Sequence, residues 1–278
     1  MASRSIPRPA PPKPSKHDIH HLYSAAVQEP SAEADFFDQV YKAKHRTLPT
    51  LLGEDFCSTA QICAHWVGRR SANVAIGLDI DPDPLKWHNR YLSPTLTCDQ
   101  RSRLHLVQAD VLTPPTKGPA AQQLEVLAAL NFSYWIFDTR AKLLEYFKTA
   151  RSRLAPGGIF VLDFFGGSDV HKELVERRRR AGFTYVWEQA EYNPVTGRYV
   201  CHISFELPGG KKIKRAFTYH WRLWTLPELC DILSDAGFGR VTTYLEREDR
   251  QGNGTGVYKP STKCRADRCF LAYITADD

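Results

Sequence analysis

Apolar and polar positions along this chain follow two periods, and the switch between them marks the elements. Asp18 stands where a residue would cap a short helix to about Gln28. Ser31-Ala-Glu-Ala repeats that start signal. Phe36, Phe37, Val40 and Tyr41 follow at helical spacing, so a second helix is predicted to stop before Pro49. From Leu48 onward, strands and helices take turns. Strands are predicted at Leu51 to Phe56, Val74 to Ile80, Leu104 to Val107, Leu124 to Leu130 and Ile159 to Phe164. Helices are predicted at Ser58 to Gly68, Pro82 to about Tyr91, and from Asp138 to Leu154. Leu112 to Ala121, rich in proline, reads as a loop. This order predicts a parallel sheet with helices on both faces.

Residues 182–222 break the pattern. Phe183 to Tyr192, Arg198 to Leu207 and Lys211 to Trp221 are strand-like, separated by Asn193 to Gly197 and by Pro208-Gly209-Gly210. Tyr185 and Trp187, Ile203 and Phe205, and Tyr219 and Trp221 fall on apolar faces. Glu188, His202, Thr218 and His220 fall on the opposite ones. A three-stranded antiparallel meander is expected, inserted as a cap. Before it, Arg177 to Arg180 form a charge run on a predicted helix, read as a solvated face. After it, Thr225 caps a helix through Ala236. Val241 to Leu245 and Phe270 to Ile274 are the last strands, joined by a glycine-rich polar loop. The expected organisation is a flexible proline-rich basic tail (1–15), an N-terminal helical lid (16–47) and an α/β domain (48–278) carrying the meander at about 182–222.

Composition narrows the class. The 278 residues are 42% apolar and 24% charged, which excludes a disordered, collagen-like or coiled-coil chain. No apolar run is long enough to predict a transmembrane helix, and no membrane partner is expected. The seven cysteines are scattered without a Cys-x-x-Cys pair, so free thiols in a reducing, cytoplasmic setting are expected, with no metal site. The start of the chain lacks the apolar stretch of a signal peptide. Net charge is +6, which leaves a nucleic-acid partner open. Arg4, Arg8, Lys13 and Lys16 supply four of those charges and Arg177 to Arg180 another four, so the rest of the chain is two units negative.

In an open parallel sheet, ligands bind beyond the carboxyl ends of the strands. Those ends carry Glu54, Asp55, Phe56, Cys57 and Ser58; Asp79, Ile80 and Asp81; Asp110; Asn131 to Tyr134; and Asp163. A phosphate-bearing dinucleotide needs glycine-rich amides and few carboxylates. An acidic rim suits a cationic ligand with ribose hydroxyls.

These residues resemble the class I S-adenosylmethionine-dependent methyltransferases over roughly residues 48 to 278. Gly77-Leu78-Asp79-Ile80-Asp81 is similar to the second-strand motif, whose acid binds ribose. Val107-Gln108-Ala109-Asp110 is similar to the third-strand motif, whose acid meets the adenine amino group. Leu154-Ala155-Pro156-Gly157-Gly158 resembles the turn before the fifth strand. The resemblance implies a Rossmann-like seven-stranded sheet with an antiparallel last strand, and S-adenosyl-L-methionine as cofactor. It implies that Glu54, Asp55, Phe56, Cys57, Ser58, Asp79, Ile80, Asp110, Val111, Asn131 and Phe132 hold the cofactor. The family's first motif is glycine-rich. Here it reads Glu54-Asp55-Phe56-Cys57-Ser58-Thr59-Ala60, similar to a branch with an E-D-F-C-G-T-like turn in which Ser58 replaces glycine.

The sulfonium activates the methyl group, so the protein needs to align the acceptor, and needs a base only if the acceptor is protonated. Tyr134, Glu188, His202 and His220 are the candidates, and Tyr134, Glu188 and His220 are carried forward as catalytic. Asn131-Phe132-Ser133-Tyr134 is faintly similar to an N-P-P-Y motif without its prolines. The expected function is methyl transfer to a small molecule. The alternatives are an inactive methyltransferase-like binding or scaffold protein, an RNA or protein methyltransferase, and a nicotinamide enzyme, the last weakened by the missing G-x-G-x-x-G.

Overall fold

The computed structural model describes residues 11–249, 251 and 254–278. The start of the expected basic tail, with Arg4 and Arg8, lies outside the described residues. Two helices come first, α1 (Ile19–Val27) and α2 (Pro30–His45), followed by β1 (Leu51–Asp55), α3 (Gln61–Arg69), β2 (Val74–Asp79) and α4 (Pro82–Trp87). The chain continues through α5 (Cys98–Ser102), β3 (Leu104–Gln108), β4 (Leu124–Ala129), α6 (Arg140–Ser152) and β5 (Leu154–Gly166). Next come β6 (Leu174–Arg180), β7 (Phe183–Tyr192), β8 (Arg198–Glu206) and β9 (Lys212–Arg222). The end is α7 (Leu226–Asp235), β10 (Arg240–Glu248), β11 (Gly254–Pro260) and β12 (Phe270–Asp277).

Eight strands form the main sheet in the order β11-β10-β12-β5-β4-β1-β2-β3. β1 to β5 are parallel, and β12 runs antiparallel to both β5 and β10. Period-two alternation sorts the core. Ile76, Leu78, Leu127, Phe160 and Leu162 face α6 and α7. Ala75, Val126, Ala128, Ile159 and Val161 face α2 and α3. With both faces covered, the strands read as near-continuous apolar runs. β6 to β9 make a second, antiparallel sheet. Its apolar face carries Tyr185, Ile203 and Phe205, and α1 packs there through Leu22.

Three expectations need correction. Arg177 to Arg180 lie on the edge strand β6, not on a helix, so the inserted sheet has four strands. An edge strand tolerates a run of charges because one side stays in water, and those charges discourage further pairing. The glycine-rich loop contains β11, which pairs with β10 and adds an eighth strand to the implied seven. α2 starts at Pro30, one residue before the expected Ser31 cap; proline pre-sets φ at this first position. By contrast, Asp18 does cap α1, its carboxylate accepting from His21 N at 3.0 Å. No helix among the described residues is long and apolar enough to cross a membrane.

Candidate active site

The turn after β1 has an unusual backbone. Phe56, Ser58 and Ala60 all lie in the left-handed region, at φ 57°, 50° and 54°. Each costs a non-glycine residue about 1–2 kcal/mol, so the surroundings must hold the turn. Cys57 N donates to Leu78 O at 2.9 Å and Ala60 N to Cys57 O at 2.7 Å. Ser58 N donates to Asp79 Oδ2 at 2.7 Å, and His88 Nδ1 donates to Thr59 O at 2.8 Å. Beneath the turn, a Cβ at residue 77 would lie 2.8 Å from Cys57 Sγ, so only glycine fits there. The turn therefore keeps a glycine-type backbone although no glycine follows Gly53. Strained backbone of this kind persists where the surroundings over-determine it.

Asp79 also accepts from Asp81 N at 2.9 Å through Oδ1. Each of its oxygens keeps a further lone pair, since an ionised carboxylate accepts about four hydrogen bonds. Beside it, Ile80 is 64% exposed, an apolar side chain held out at the strand end. Asp110 caps its own turn through Leu112 N at 2.9 Å, and Val111 is buried in the core. Glu54 and Asp55 turn inward. Asp55 is paired with Arg153 at 2.7 Å and accepts from the Tyr146 hydroxyl at 3.0 Å. Glu54 accepts from Cys63 N at 3.2 Å and Cys63 Sγ at 3.0 Å.

The end of β4 repeats the device. Asn131 and Phe132 are left-handed, at φ 56° and 55°. The Asp163 carboxylate, one strand away, accepts from Asn131 N at 2.7 Å and Phe132 N at 2.9 Å. This turn opens into a cavity of about 580 Å³. α1 and α2 wall it on one side and the apolar face of the second sheet on another, through Trp187, Tyr219 and Trp221. Tyr258 and Tyr273 of β11 and β12 close it.

The cavity is acidic, with Glu29, Glu33, Asp35, Asp163 and Glu176 in its lining. Glu33 of α2 is 8% exposed, and its Oε2 has no hydrogen-bond partner. Burial, then the charge of Glu54, pushes its pKa up to about 8. Burial pushes Asp163 up to about 7 against the pull of its two backbone donors, and Glu54 up to about 7 against the pull of Cys63. Loss of hydration raises a carboxylate pKa when no cation compensates.

The structure brings only some of the expected residues together. Asn131 and Phe132 line the cavity; Phe56, Ser58, Asp79 and Ile80 gather at the adjoining ends of β1 and β2. Tyr134 is fully buried, its hydroxyl donating to Asp163 O at 2.7 Å. Glu188, His202 and His220 stand on the outer face of the second sheet, opposite the cavity-lining Trp187, Ile203 and Tyr219. There His202 Nδ1 lies 2.9 Å from Thr218 Oγ1, and burial lowers its pKa. The expected catalytic trio is thus not assembled. Sequence reading passed over Tyr23, Glu33, Tyr258 and Tyr273. Glu33 left a signal: it shares a helical stripe with Phe36, Phe37 and Val40, an acid on an apolar face.

No protein-family model matches the chain, and no curated relative matches it by sequence. Solved structures do match by fold. An S-adenosylmethionine-dependent methyltransferase from Clostridium acetobutylicum ATCC 824 superposes with a TM-score of 0.65 at 14% identity, over 93% of this chain and 98% of that one. CalS10, an amino pentose methyltransferase from Micromonospora echinaspora, gives 0.63 at 14% identity, over 96% and 99%. The sugar N-methyltransferase KedS8 from Streptoalloteichus sp ATCC 53650 gives 0.58 at 15% identity, over 100% of both chains. The chain has the fold of the S-adenosylmethionine-dependent methyltransferases.

Proposed function

We propose that this protein transfers a methyl group from S-adenosyl-L-methionine to a small molecule, as an enzyme of class EC 2.1.1.-. The observation that carries the reading is the turn at Phe56, Ser58 and Ala60, whose glycine-type backbone is maintained against strain beside Asp79. A binding turn that must let a ligand close to its main chain has reason to keep that shape. Asp79 would take the ribose hydroxyls, Ile80 an adenine face, and Asp110 with Val111 the adenine edge. Phe56 to Ser58 would take the amino-acid end, and Asn131 and Phe132 would border the acceptor. When bound, the cofactor supplies a methyl already activated by its sulfonium. The protein's part is then to exclude water and orient the acceptor. α1, α2 and the aromatic face of the second sheet do the first. The rigid β4 turn, pinned by Asp163, does the second.

A cavity of about 580 Å³ suits a small acceptor. The amino pentose and sugar substrates named for CalS10 and KedS8 support the same class. Buried thiols at Cys57, Cys63 and Cys201 suit a reducing compartment, which this reading takes as the cytoplasm. Titration calorimetry with S-adenosylhomocysteine tests the proposal. Saturable binding is expected, with Asp79→Asn weakening it by about tenfold, or 1.4 kcal/mol. No heat at millimolar ligand would overturn the reading.

A further inference from the structure

The cavity holds one polar atom that nothing in the fold explains. Glu33 Oε2 is enclosed and unpartnered, although a buried carboxylate ordinarily finds a cation or two donors. Its other contact is local, the backbone N–H of Glu29. Carboxylates outnumber cations around it. Glu29, Glu33, Asp35, Asp163 and Glu176 line the cavity against Arg178 and Arg180. Both arginines bond to other lining residues and neither bonds to Glu33: Arg178 pairs with Glu176 at 2.8 Å and Arg180 donates to the Ala26 carbonyl at 2.9 Å. The charges of Glu54, Asp163 and Glu29 add to the effect of burial on Glu33, and Glu33 in turn raises the hydroxyl pKa values of Tyr23 and Tyr273. One helical turn beyond Glu33, Phe36 stacks on Tyr273 at 4.2 Å, and Tyr258 meets Tyr273 edge-on at 4.7 Å. Across the cavity Tyr219 stacks on Trp221 at 4.4 Å. Aromatic faces beside a lone carboxylate make a cation site, since ring quadrupoles and the acid both attract positive charge.

We infer that the acceptor is an amine, held as its ammonium form between Glu33 and these aromatic faces, with Glu33 Oε2 receiving the proton that the nitrogen gives up. This names the acceptor class within the methyl-transfer reading and rests on it. The proton balance is simple: ammonium N–H breaks, Oε2–H forms, and the nitrogen lone pair is freed as the nucleophile.

The test uses the full chain, with and without S-adenosylhomocysteine, and three benzyl compounds: benzylamine and benzyl alcohol, which match in size, and the bulkier, permanently charged benzyltrimethylammonium. At pH 7 the two cations should bind about tenfold tighter than the alcohol. Benzyltrimethylammonium should expel a proton from Glu33, read as calorimetric heat that varies with the buffer's ionisation enthalpy. Glu33→Gln should bring the three compounds within about twofold, abolish its share of the proton release and leave S-adenosylhomocysteine binding intact. It should also melt no lower than the parent, which reports folding independently. Equal binding of amine and alcohol by the parent, or no saturable amine binding, overturns the inference. So does a cation preference that survives in Glu33→Gln. If the variant instead loses S-adenosylhomocysteine, Glu33 serves the cofactor and the acceptor assignment is wrong. A parent that prefers cations but never binds S-adenosylhomocysteine sinks the methyl-transfer reading and the acceptor role with it, and leaves only a cation site at Glu33.

Discussion

Two adjacent strand ends solve the same backbone problem with different surroundings. After β1 the left-handed residues are Phe56, Ser58 and Ala60; after β4 they are Asn131 and Phe132. In each case the acid at the end of a neighbouring strand, Asp79 or Asp163, accepts from the turn's amides. Asp79 gives one oxygen to its turn and one to Asp81 N, and the exposed Ile80 follows it. Asp163 gives both oxygens to its turn and borders a cavity where burial lifts its pKa to about 7. The comparison teaches that an acid at a strand end has two jobs, shaping a turn and meeting a ligand. Its environment decides the balance. Asp163 spends one acceptor position on each oxygen within a single turn, whereas Asp79 divides its two between Ser58 N and Asp81 N.

Three substitutions would break or sharpen this contrast. The largest effect should come from the anchor under the β1 turn. Arg153→Met leaves Asp55 buried with only the Tyr146 hydroxyl. It should cost about 3–5 kcal/mol in urea denaturation, the usual penalty for orphaning a buried charge. Asp163→Asn comes next. One amide oxygen replaces two carboxylate oxygens, so one of the two turn amides loses its acceptor. A loss of about 1–3 kcal/mol is expected, read as a shift of the melting curve; Asp79→Asn also strips one backbone amide of its acceptor, but that amide can be the exposed Asp81 N, so it should cost less. The smallest effect has the opposite sign. Ser58→Gly should stabilise the chain by about 1 kcal/mol by relieving the left-handed strain, without weakening S-adenosylhomocysteine. A destabilised Ser58→Gly would show that the serine side chain, not the backbone, holds this turn.

Much of this was legible in residue order. The strand-helix alternation from Leu51 to Phe164 predicted the parallel sheet, because both-face burial leaves apolar runs of strand length. The faces of the inserted sheet were legible too, since Tyr185, Ile203 and Tyr219 do share its inner side. That same alternation already set Glu188 and His220 on the far side from the aromatic residues, so their nomination as catalytic conflicted with the pattern. β6 was not legible. Four consecutive arginines carry no period, and only pairing with β7 makes them a strand. β11 was hidden for a related reason: its glycines read as a loop until β10 offers an edge to pair with.

What the sequence determined alone was the local grammar: the caps at Asp18 and Thr225, the two-residue alternation that sorts the core, and acids at the strand ends. What tertiary structure decided was availability. Glu54, Asp55, Asp79 and Asp163 look alike in the chain, yet Asp55 is neutralised by an arginine 98 residues away and Asp163 holds two amides of a neighbouring turn. Glu33, an acid in an ordinary first helical turn, becomes a buried and unpartnered carboxylate only when α2 docks against the sheet ends. The free energy of a charge depends on the dielectric and the donors around it, and both are set by parts of the chain far away in sequence.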